Sequence, residues 1–389
     1  MPDTNRPLPP SRPLSFSDQF PILENGMYLN HAAAGPWPRC AAEAVQQFAE
    51  ENMLQGSMGY REWYKREIRL RASLARLTGA AGAADIALLK NTSEGICTVA
   101  FGLDWQAGDN VVLPAGEFPS NRLPWLAQSV HGVEIREVDI RSAADAEQAL
   151  LDAMDRNTRL LSVSAVQWSD GFKLDLHRLG SHCRRHGILF FVDAIQQLGA
   201  LPMDVQSCHI DFLAADAHKW LLAPEGIAVF YCSESARPKL RLLQQGWHMF
   251  EHPFDFERDH WEPASSAKRF EAGSPNTMGQ AAMDASVQLL LDYGMDKVGA
   301  RVLANTGFLL RELGKIPGVM ISSRTSPDRQ SGIVSFRHES VAAEAIHQAL
   351  AEAGVDVVIR GGSIRVSPHF YQDEEMLGRF MNIVGSAAR

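Results

Sequence analysis

Phe190-Phe191-Val192-Asp193-Ala194-Ile195-Gln196, followed by Asp211-Phe212-Leu213-Ala214-Ala215-Asp216-Ala217-His218-Lys219-Trp220, decides how this chain is read. Each segment is a short apolar run that ends abruptly in polar residues. A run that stays apolar on both alternating faces has the composition of a strand covered on both sides of a sheet. An acid directly at the end of such a strand sits where open α/β sheets place their ligand-contacting residues. Taken alone, Asp193 could equally cap a helix. Lys219 shifts that reading, because it too closes an apolar stretch and can reach the same end of the sheet.

Further runs of this composition occur at 87–89, 110–113, 160–165, 188–192 and 227–231, with helix-patterned stretches at 143–154 and 176–186 between several of them. Strand–helix alternation of this kind predicts an α/β fold with a mostly parallel sheet covered on both faces. After about Gly273 the pattern changes to helices at 280–293 and 297–313, a strand at 331–337, a helix at 341–353, a strand at 363–366 and a terminal helix at 373–388. The expected organisation is an N-terminal segment, 1–25, packing on the small domain, a large ligand-binding domain, 26–272, and a smaller α+β C-terminal domain, 273–389. A length of 389 residues agrees with more than one core, since single cores stop growing near ~250–300 residues. The aromatic and charged stretch 244–270 has no period and reads as an active-site loop.

Hydrophobic residues at 46% and charged residues at 21% describe a globular chain rather than a disordered one. A formal net charge of −9 argues against nucleic acid or anionic membranes as partners and favours a small-molecule substrate. The five cysteines, Cys40, Cys97, Cys183, Cys208 and Cys232, form no CxxC pair, and they read as free thiols of a reducing compartment. Residues 1–17 are polar and proline-rich, without the apolar core of a secretory signal, and no run reaches the ~18 apolar residues of a spanning helix. We therefore expect a cytoplasmic protein.

The lysine and the acid have complementary chemistry if the ligand is a pyridine aldehyde. A lysine forms a Schiff base only while its amine is neutral, so its pKa must be depressed by burial or by nearby positive charge. A carboxylate facing the ring nitrogen keeps that nitrogen protonated, and the protonated ring is then an electron sink. The segment Lys90-Asn91-Thr92-Ser93-Glu94-Gly95 supplies an anchor for a phosphate, since an apolar run ends there in polar residues and a helical pattern begins. On its own the same segment is an ordinary helix cap provided by Thr92 or Ser93.

Six ordered motifs now resemble a known family: Tyr28-Leu29-Asn30-His31-Ala32-Ala33-Ala34-Gly35-Pro36, Asn91-Thr92-Ser93-Glu94-Gly95, Asp193-Ala194-Ile195-Gln196, His218-Lys219-Trp220, Arg269-Phe270-Glu271-Ala272-Gly273-Ser274-Pro275-Asn276 and Ile364-Arg365-Val366-Ser367-Pro368-His369-Phe370-Tyr371. The chain is similar over nearly its whole length to the class V aminotransferase group of fold-type I pyridoxal-phosphate enzymes, which includes cysteine desulfurases, isopenicillin N epimerase-like proteins and related C–S lyases. The resemblance implies pyridoxal 5'-phosphate (PLP) bound through Lys219, with Asp193 on the ring nitrogen and Gln196 on the ring oxygen. It implies Thr92, Ser93 and His218 on the phosphate, joined by Ser274 from a second subunit of a homodimer. Arg365 takes the substrate carboxylate in this scheme, a task suited to a planar guanidinium.

The departures bear on the reaction. Phe118 stands where desulfurases stack a histidine on the ring, so stacking survives and proton transfer from that position does not. Ser164-Ala165 replaces a strand-end Ser-Asn, leaving the contact to Gln167 or Trp168. Between Val355 and Arg365 there is no cysteine to attack a substrate sulfur, from which we expect an enzyme that is not a persulfide-forming desulfurase. β-Elimination, epimerisation and transamination of a small amino acid stay open, with a catalytically silent PLP-fold binding protein as the non-enzyme reading. Cys97 reads as a packed apolar residue. His248 and His252 have a metal-like spacing, but Pro253 interrupts a helix there, and no metal is expected. His31 either touches substrate or bonds the backbone, and Arg360-Gly361-Gly362 is either an anion-binding element or a plain turn. The spacing of a nucleotide phosphate loop is missing from Gly79-Ala80-Ala81-Gly82.

Overall fold

Strands built from Val, Ile, Leu and Phe on both faces gain free energy only between two layers of helices, and that is how this sequence uses them. The computed structural model describes residues 16–257 and 260–389. Its strands are β1 (Met27–Tyr28), β2 (Ile86–Leu89), β3 (Asn110–Pro114), β4 (Glu134–Val138), β5 (Thr158–Ser164), β6 (Leu189–Asp193), β7 (Phe212–Asp216), β8 (Ala228–Cys232), β9 (Val319–Ile321), β10 (Val334–His338), β11 (Val355–Asp356), β12 (Val358–Arg360) and β13 (Ser363–Val366). Seven of them form one sheet in the order β2-β8-β7-β6-β5-β3-β4. Pairing is parallel from β7 through β4, while β8 runs against both of its neighbours. The expected mostly parallel α/β sheet is the observed one.

Alternate side chains of the central strands enter opposite cores. Leu161, Val163, Phe190, Val192, Leu213 and Ala215 join one cluster, with Leu70 and Leu74 of the helix Tyr60–Thr78 and Leu179 of the helix Leu176–His186. Leu160, Leu189, Phe191, Phe212 and Ala214 join the other, with Ile96 and Val99 of the helix Thr92–Gly102. Burying each large apolar side chain contributes about 1.5–3 kcal/mol. The edge strand β4 escapes composition-based reading because its Glu134 is exposed and its Ile135 and Arg136 are only half-buried.

A second, four-stranded antiparallel sheet, β12-β13-β10-β9, carries the small core with the helices Met295–Leu313, Ala343–Glu352 and Glu374–Ala387. β1 pairs with β11, so Met27 and Leu29 belong to that core although they lie far away in sequence. Residues 1–15 of the N-terminal segment lie outside the described residues; in the rest of it Phe20 stacks on Tyr371 within the large cluster, so the segment does not pack on the small core alone as expected. A division at residue 273 does not follow the packing. Met283, Val287 and Leu290 of the helix Thr277–Tyr293 enter the large core. The helix Met295–Leu313 gives Val298 and Val302 to the large core and Leu309 and Leu313 to the small one, so the cores part within that helix.

Leu29 has no exposed surface, and Leu29→Ala should cost about 2–5 kcal/mol of stability by leaving a cavity under the β1–β11 pair. Urea denaturation checks this; a midpoint within error of wild type would show that the N-terminal strand adds little to the small core.

Candidate active site

Parallel strands deliver their carboxyl ends to one edge, and at that edge the polar residues converge. β2 runs into Asn91, which caps the helix Thr92–Gly102 by accepting the Glu94 N–H at 2.8 Å. Because Asn91 is the cap, the hydroxyls of Thr92 and Ser93 serve elsewhere. Thr92 Oγ1 accepts the Asp216 N–H at the end of β7 (2.9 Å), and Ser93 Oγ donates to Ser120 Oγ (2.8 Å). β6 ends in Asp193, 3% exposed, whose carboxylate accepts the Ile195 N–H at 3.0 Å. β7 ends in Asp216 and leads through His218 to Lys219.

The turn after Lys219 is tightly held. The Gly35 N–H donates to the His218 carbonyl, and a Cβ on Gly35 would lie 2.1 Å from the Lys219 carbonyl oxygen, which explains the glycine in the N-terminal motif. Leu222, whose N–H closes the turn onto the Lys219 carbonyl, has φ 56, a left-handed conformation that a leucine adopts at a cost of about 1 kcal/mol or more. The lysine Nζ lies 5.7 Å from the centroid of Phe118, and Phe118 meets Trp168 edge to face at 5.7 Å.

Burial is the main force on the ionisable groups. It lowers Lys219 from its usual lysine value to about 8, and the positive charges of Arg365 and Arg360 push the same way against Asp193 and Asp216. Asp193 is raised, by burial first and then by the neighbouring Glu117. Arg365, on β13, is 2% exposed; it donates to the Trp168 carbonyl at 2.7 Å, and its Nε has no partner. No carboxylate is in ion-pair contact with Arg365 among the described residues. Asp216 Oδ1 and His218 Nδ1 are likewise buried and unbonded, 3.4 Å apart. Each such orphan costs about 1–3 kcal/mol, so this edge is open to a polar ligand, and a phosphorylated pyridine aldehyde fits, its anionic groups facing the His218 and Arg365 nitrogens and not Asp216.

The structure therefore brings Thr92, Ser93, Phe118, Asp193, His218, Lys219 and Arg365 to one edge. His31 is different, and the expectation that it binds substrate is corrected. It is fully buried, Nδ1 contacts the Ser367 carbonyl (2.9 Å), Nε2 contacts the Tyr371 hydroxyl, and desolvation holds its pKa well below the usual range. With both nitrogens engaged it is a neutral packing residue. Gln196 donates to the Ala32 carbonyl (3.0 Å) and accepts from the Trp220 indole (2.9 Å), leaving one amide N–H for a ligand. Ser274 is exposed on the rim of a separate cleft of about 860 Å³ shared with Asn91, Gln244 and Trp247, away from the Lys219 of its own chain. Gln167 binds Glu117, and the Trp168 indole binds the Gly116 carbonyl (3.1 Å), so neither stands in simply for a strand-end asparagine. Asp216 and Glu117 were missed as contributors; Asp216 ends an apolar strand just as Asp193 does, whereas Glu117 has no sequence signal beyond preceding Phe118.

The loop 244–270 is not merely peripheral. His248, 1% exposed, lies 3.6 Å from both Glu67 and Glu271, whose carboxylates also grip Arg71. These three acidic and imidazole groups are close enough for a shared metal ion, but the Arg71 guanidinium already supplies the cation. His252 is exposed and takes no part.

A partly neutral lysine amine backed by a buried acid is what an aldehyde cofactor requires, and together with the sheet it defines an α/β enzyme of fold type I that depends on PLP. The family model described as Aminotransferase class-V matches residues 27–376, and the chain belongs to that family. A probable cysteine desulfurase of Methanothermobacter thermautotrophicus is 30% identical over 382 residues, covering 92% of this chain and 93% of that protein. A structure of the cystine C-S lyase C-DES with its reaction product cysteine persulfide superposes with a TM-score of 0.88 at 26% identity, covering 94% of this chain and 99% of that one. Another C-DES structure, a lysine-to-alanine variant with glycine covalently linked to the PLP cofactor, gives 0.87 at 25% identity over 94% and 98% of the two chains.

These relatives overturn the expectation that the protein is not a persulfide-forming desulfurase. The loop lacks a cysteine and is short, Gly361 and Gly362, at φ 55 and 73, closing a tight hairpin between β12 and β13. The error lay in making an enzyme cysteine the only route to a persulfide; a disulfide substrate already carries the second sulfur.

Covalent uptake of PLP by the apoprotein should accelerate with pH and level off above a midpoint near 8, since only the neutral Lys219 amine attacks an aldehyde. Stopped-flow absorbance checks this, and a rate still climbing at pH 10 would show an ordinary lysine. Lys219→Ala should leave no borohydride-stable cofactor adduct on the corresponding peptide by mass spectrometry.

Proposed function

We propose that this protein cleaves the Cβ–S bond of a cysteine-type amino acid and delivers the sulfur as a persulfide. The observation that carries the reading is Arg365, a buried guanidinium with an unpaired Nε and no carboxylate partner among the described residues, next to a lysine with a depressed pKa. An α-amino acid supplies both missing parts: its carboxylate satisfies Arg365, and its Cα then lies toward Lys219. PLP, when bound, supplies the sink for the negative charge that develops at Cα.

In this scheme Lys219 would hold the cofactor and take the Cα proton. Asp193 keeps the ring nitrogen charged, and Gln196 offers its remaining N–H to the ring oxygen. Thr92, Ser93 and His218 bind the phosphate at the N-terminus of the helix Thr92–Gly102. Phe118, whose ring centroid lies 5.7 Å from the Lys219 Nζ, would stack on the cofactor ring and has no proton to exchange, leaving proton traffic to Lys219. In a disulfide substrate the pair of the breaking Cβ–S bond leaves on the inner sulfur, which already carries the second; in cysteine itself an added acceptor thiol would have to attack the sulfur, with the pair staying on carbon to give alanine. With cystine, addition of water to the remaining fragment gives cysteine persulfide, pyruvate and ammonia in balance.

Ser274, exposed on its cleft, reaches the phosphate of a second copy in a homodimer. Free thiols at all five cysteines suit the cytoplasm, and no helix among the described residues is long and apolar enough to cross a membrane. The chain divides into a large PLP-binding unit and a small C-terminal unit that meet within the helix Met295–Leu313.

Holoenzyme incubated with L-cystine and with L-cysteine tests this reading by cyanolysis of persulfide, with pyruvate and alanine as co-products. Persulfide with pyruvate identifies elimination from the disulfide, and persulfide with alanine identifies desulfuration of cysteine. No persulfide from either substrate would sink the proposal. Arg365→Lys should lower kcat/KM by about tenfold to a hundredfold, through loss of two-point carboxylate binding.

A further inference from the structure

Glu117 is a buried carboxylate that the scheme above leaves unused. It is 4% exposed and makes no ion pair among the described residues. It accepts the Ser164 N–H at 2.7 Å, the Ser164 hydroxyl, and the Gln167 amide at 3.0 Å. Burial pushes its carboxyl above the usual carboxylate range, and the hydrogen bonds from Ser164 and Gln167 oppose that shift, since the oxygens of an ionised carboxylate can only accept.

Each donor ties Glu117 to a part of the site. Ser164 is the last residue of β5 and lies in register with Asp193, and the next residue, Ala165, donates its N–H to the Asp193 carbonyl at 2.9 Å. Gln167 precedes Trp168, whose carbonyl holds Arg365 and whose indole returns to the Gly116 carbonyl beside Glu117. Phe118 follows Glu117 directly and meets the Trp168 ring. One side chain thus braces the aromatic wall, the strand end carrying Asp193 and the loop that grips Arg365.

We propose that Glu117 is a positioning residue for the cofactor site, bracing the Phe118 wall against β5 and the strand end that carries Asp193, and adding its negative charge to that corner. The charge is felt at Asp193, whose carboxyl it helps to raise. If Asp193 holds a protonated ring nitrogen, a second nearby negative charge would keep that proton more firmly in place. The inference rests on Asp193 being the partner of the ring nitrogen and not on the identity of the substrate.

Spectroscopic pH titration and equilibrium cofactor binding of the holoenzyme test it. Glu117→Gln keeps an acceptor for the Ser164 N–H but removes the charge. Its visible cofactor band should titrate at lower pH than wild type, because loss of a nearby negative charge favours the less protonated form, and the PLP dissociation constant should rise about tenfold. Glu117→Asp keeps the charge but is too short to reach Ser164 and Gln167 together. It should hold the band midpoint near wild type while weakening PLP binding by a similar factor. A Gln variant with both the midpoint and the dissociation constant of wild type overturns the proposal. Should the Gln variant fail to fold by circular dichroism, wild-type PLP affinity in the Asp variant overturns it alone. Asp193→Asn separates the two levels. If it too leaves the midpoint unmoved, the placement of the ring is wrong; if it shifts the midpoint and Glu117→Gln does not, only the role of Glu117 falls.

Discussion

A half-buried lysine amine and a buried carboxyl group share a corner at the ends of β6 and β7, and neither is comfortable there without a further partner. Burial drives the amine toward neutrality and the acid toward protonation, so each is held away from its solution state by the same desolvation. That tension makes the corner reactive toward an aldehyde and receptive to a cationic ring. It persists because the surroundings are over-determined: Gly35 presses against the Lys219 carbonyl, Leu222 accepts an unfavourable backbone conformation, and the strand ends are fixed by a sheet buried on both faces.

The second charged cluster, of Glu67, Arg71, His248 and Glu271, does different work. Glu271 accepts the Leu88 N–H at 2.7 Å, so the cluster fastens the loop 244–270 to the strand that leads into Asn91 and the phosphate-binding helix. A loop with exposed Phe254, Phe256 and Trp261 on its outer face is thereby pinned at its base. The aromatic tip can meet another surface while the root stays registered to the sheet.

The sheet and the residues at its edge were legible because they obey local rules. Apolar runs without alternation mark buried strands, and polar residues at their ends mark the ligand edge, so Asp193, Lys219 and the polar start of the helix Thr92–Gly102 could be found without coordinates. The small core was harder, because Met27 and Leu29 join it by pairing with a strand more than three hundred residues away, which no local period encodes. β4 was missed because an edge strand needs no second apolar face. Glu117 and His31 show the limit from two sides: a buried carboxylate with no cation leaves no mark in sequence, and a histidine in a ligand-like motif turned out to be spent on Ser367 and Tyr371. The reaction was misjudged for a chemical reason rather than a structural one, since the origin of a sulfur atom in the substrate is not written in the protein.

Lys219 and Arg365 lie on opposite sides of the boundary between the two cores, which the helix Met295–Leu313 bridges and which hydrogen bonds cross from Arg365 to the Trp168 carbonyl, from Ser331 to the Gly171 carbonyl and between His369 and the Trp220 carbonyl. The packing of that boundary therefore sets the span between the amine and the carboxylate anchor. Substitutions along that bridging helix, remote from any reacting atom, can in this way retune which side-chain lengths are held with their β-carbon in line for bond breaking.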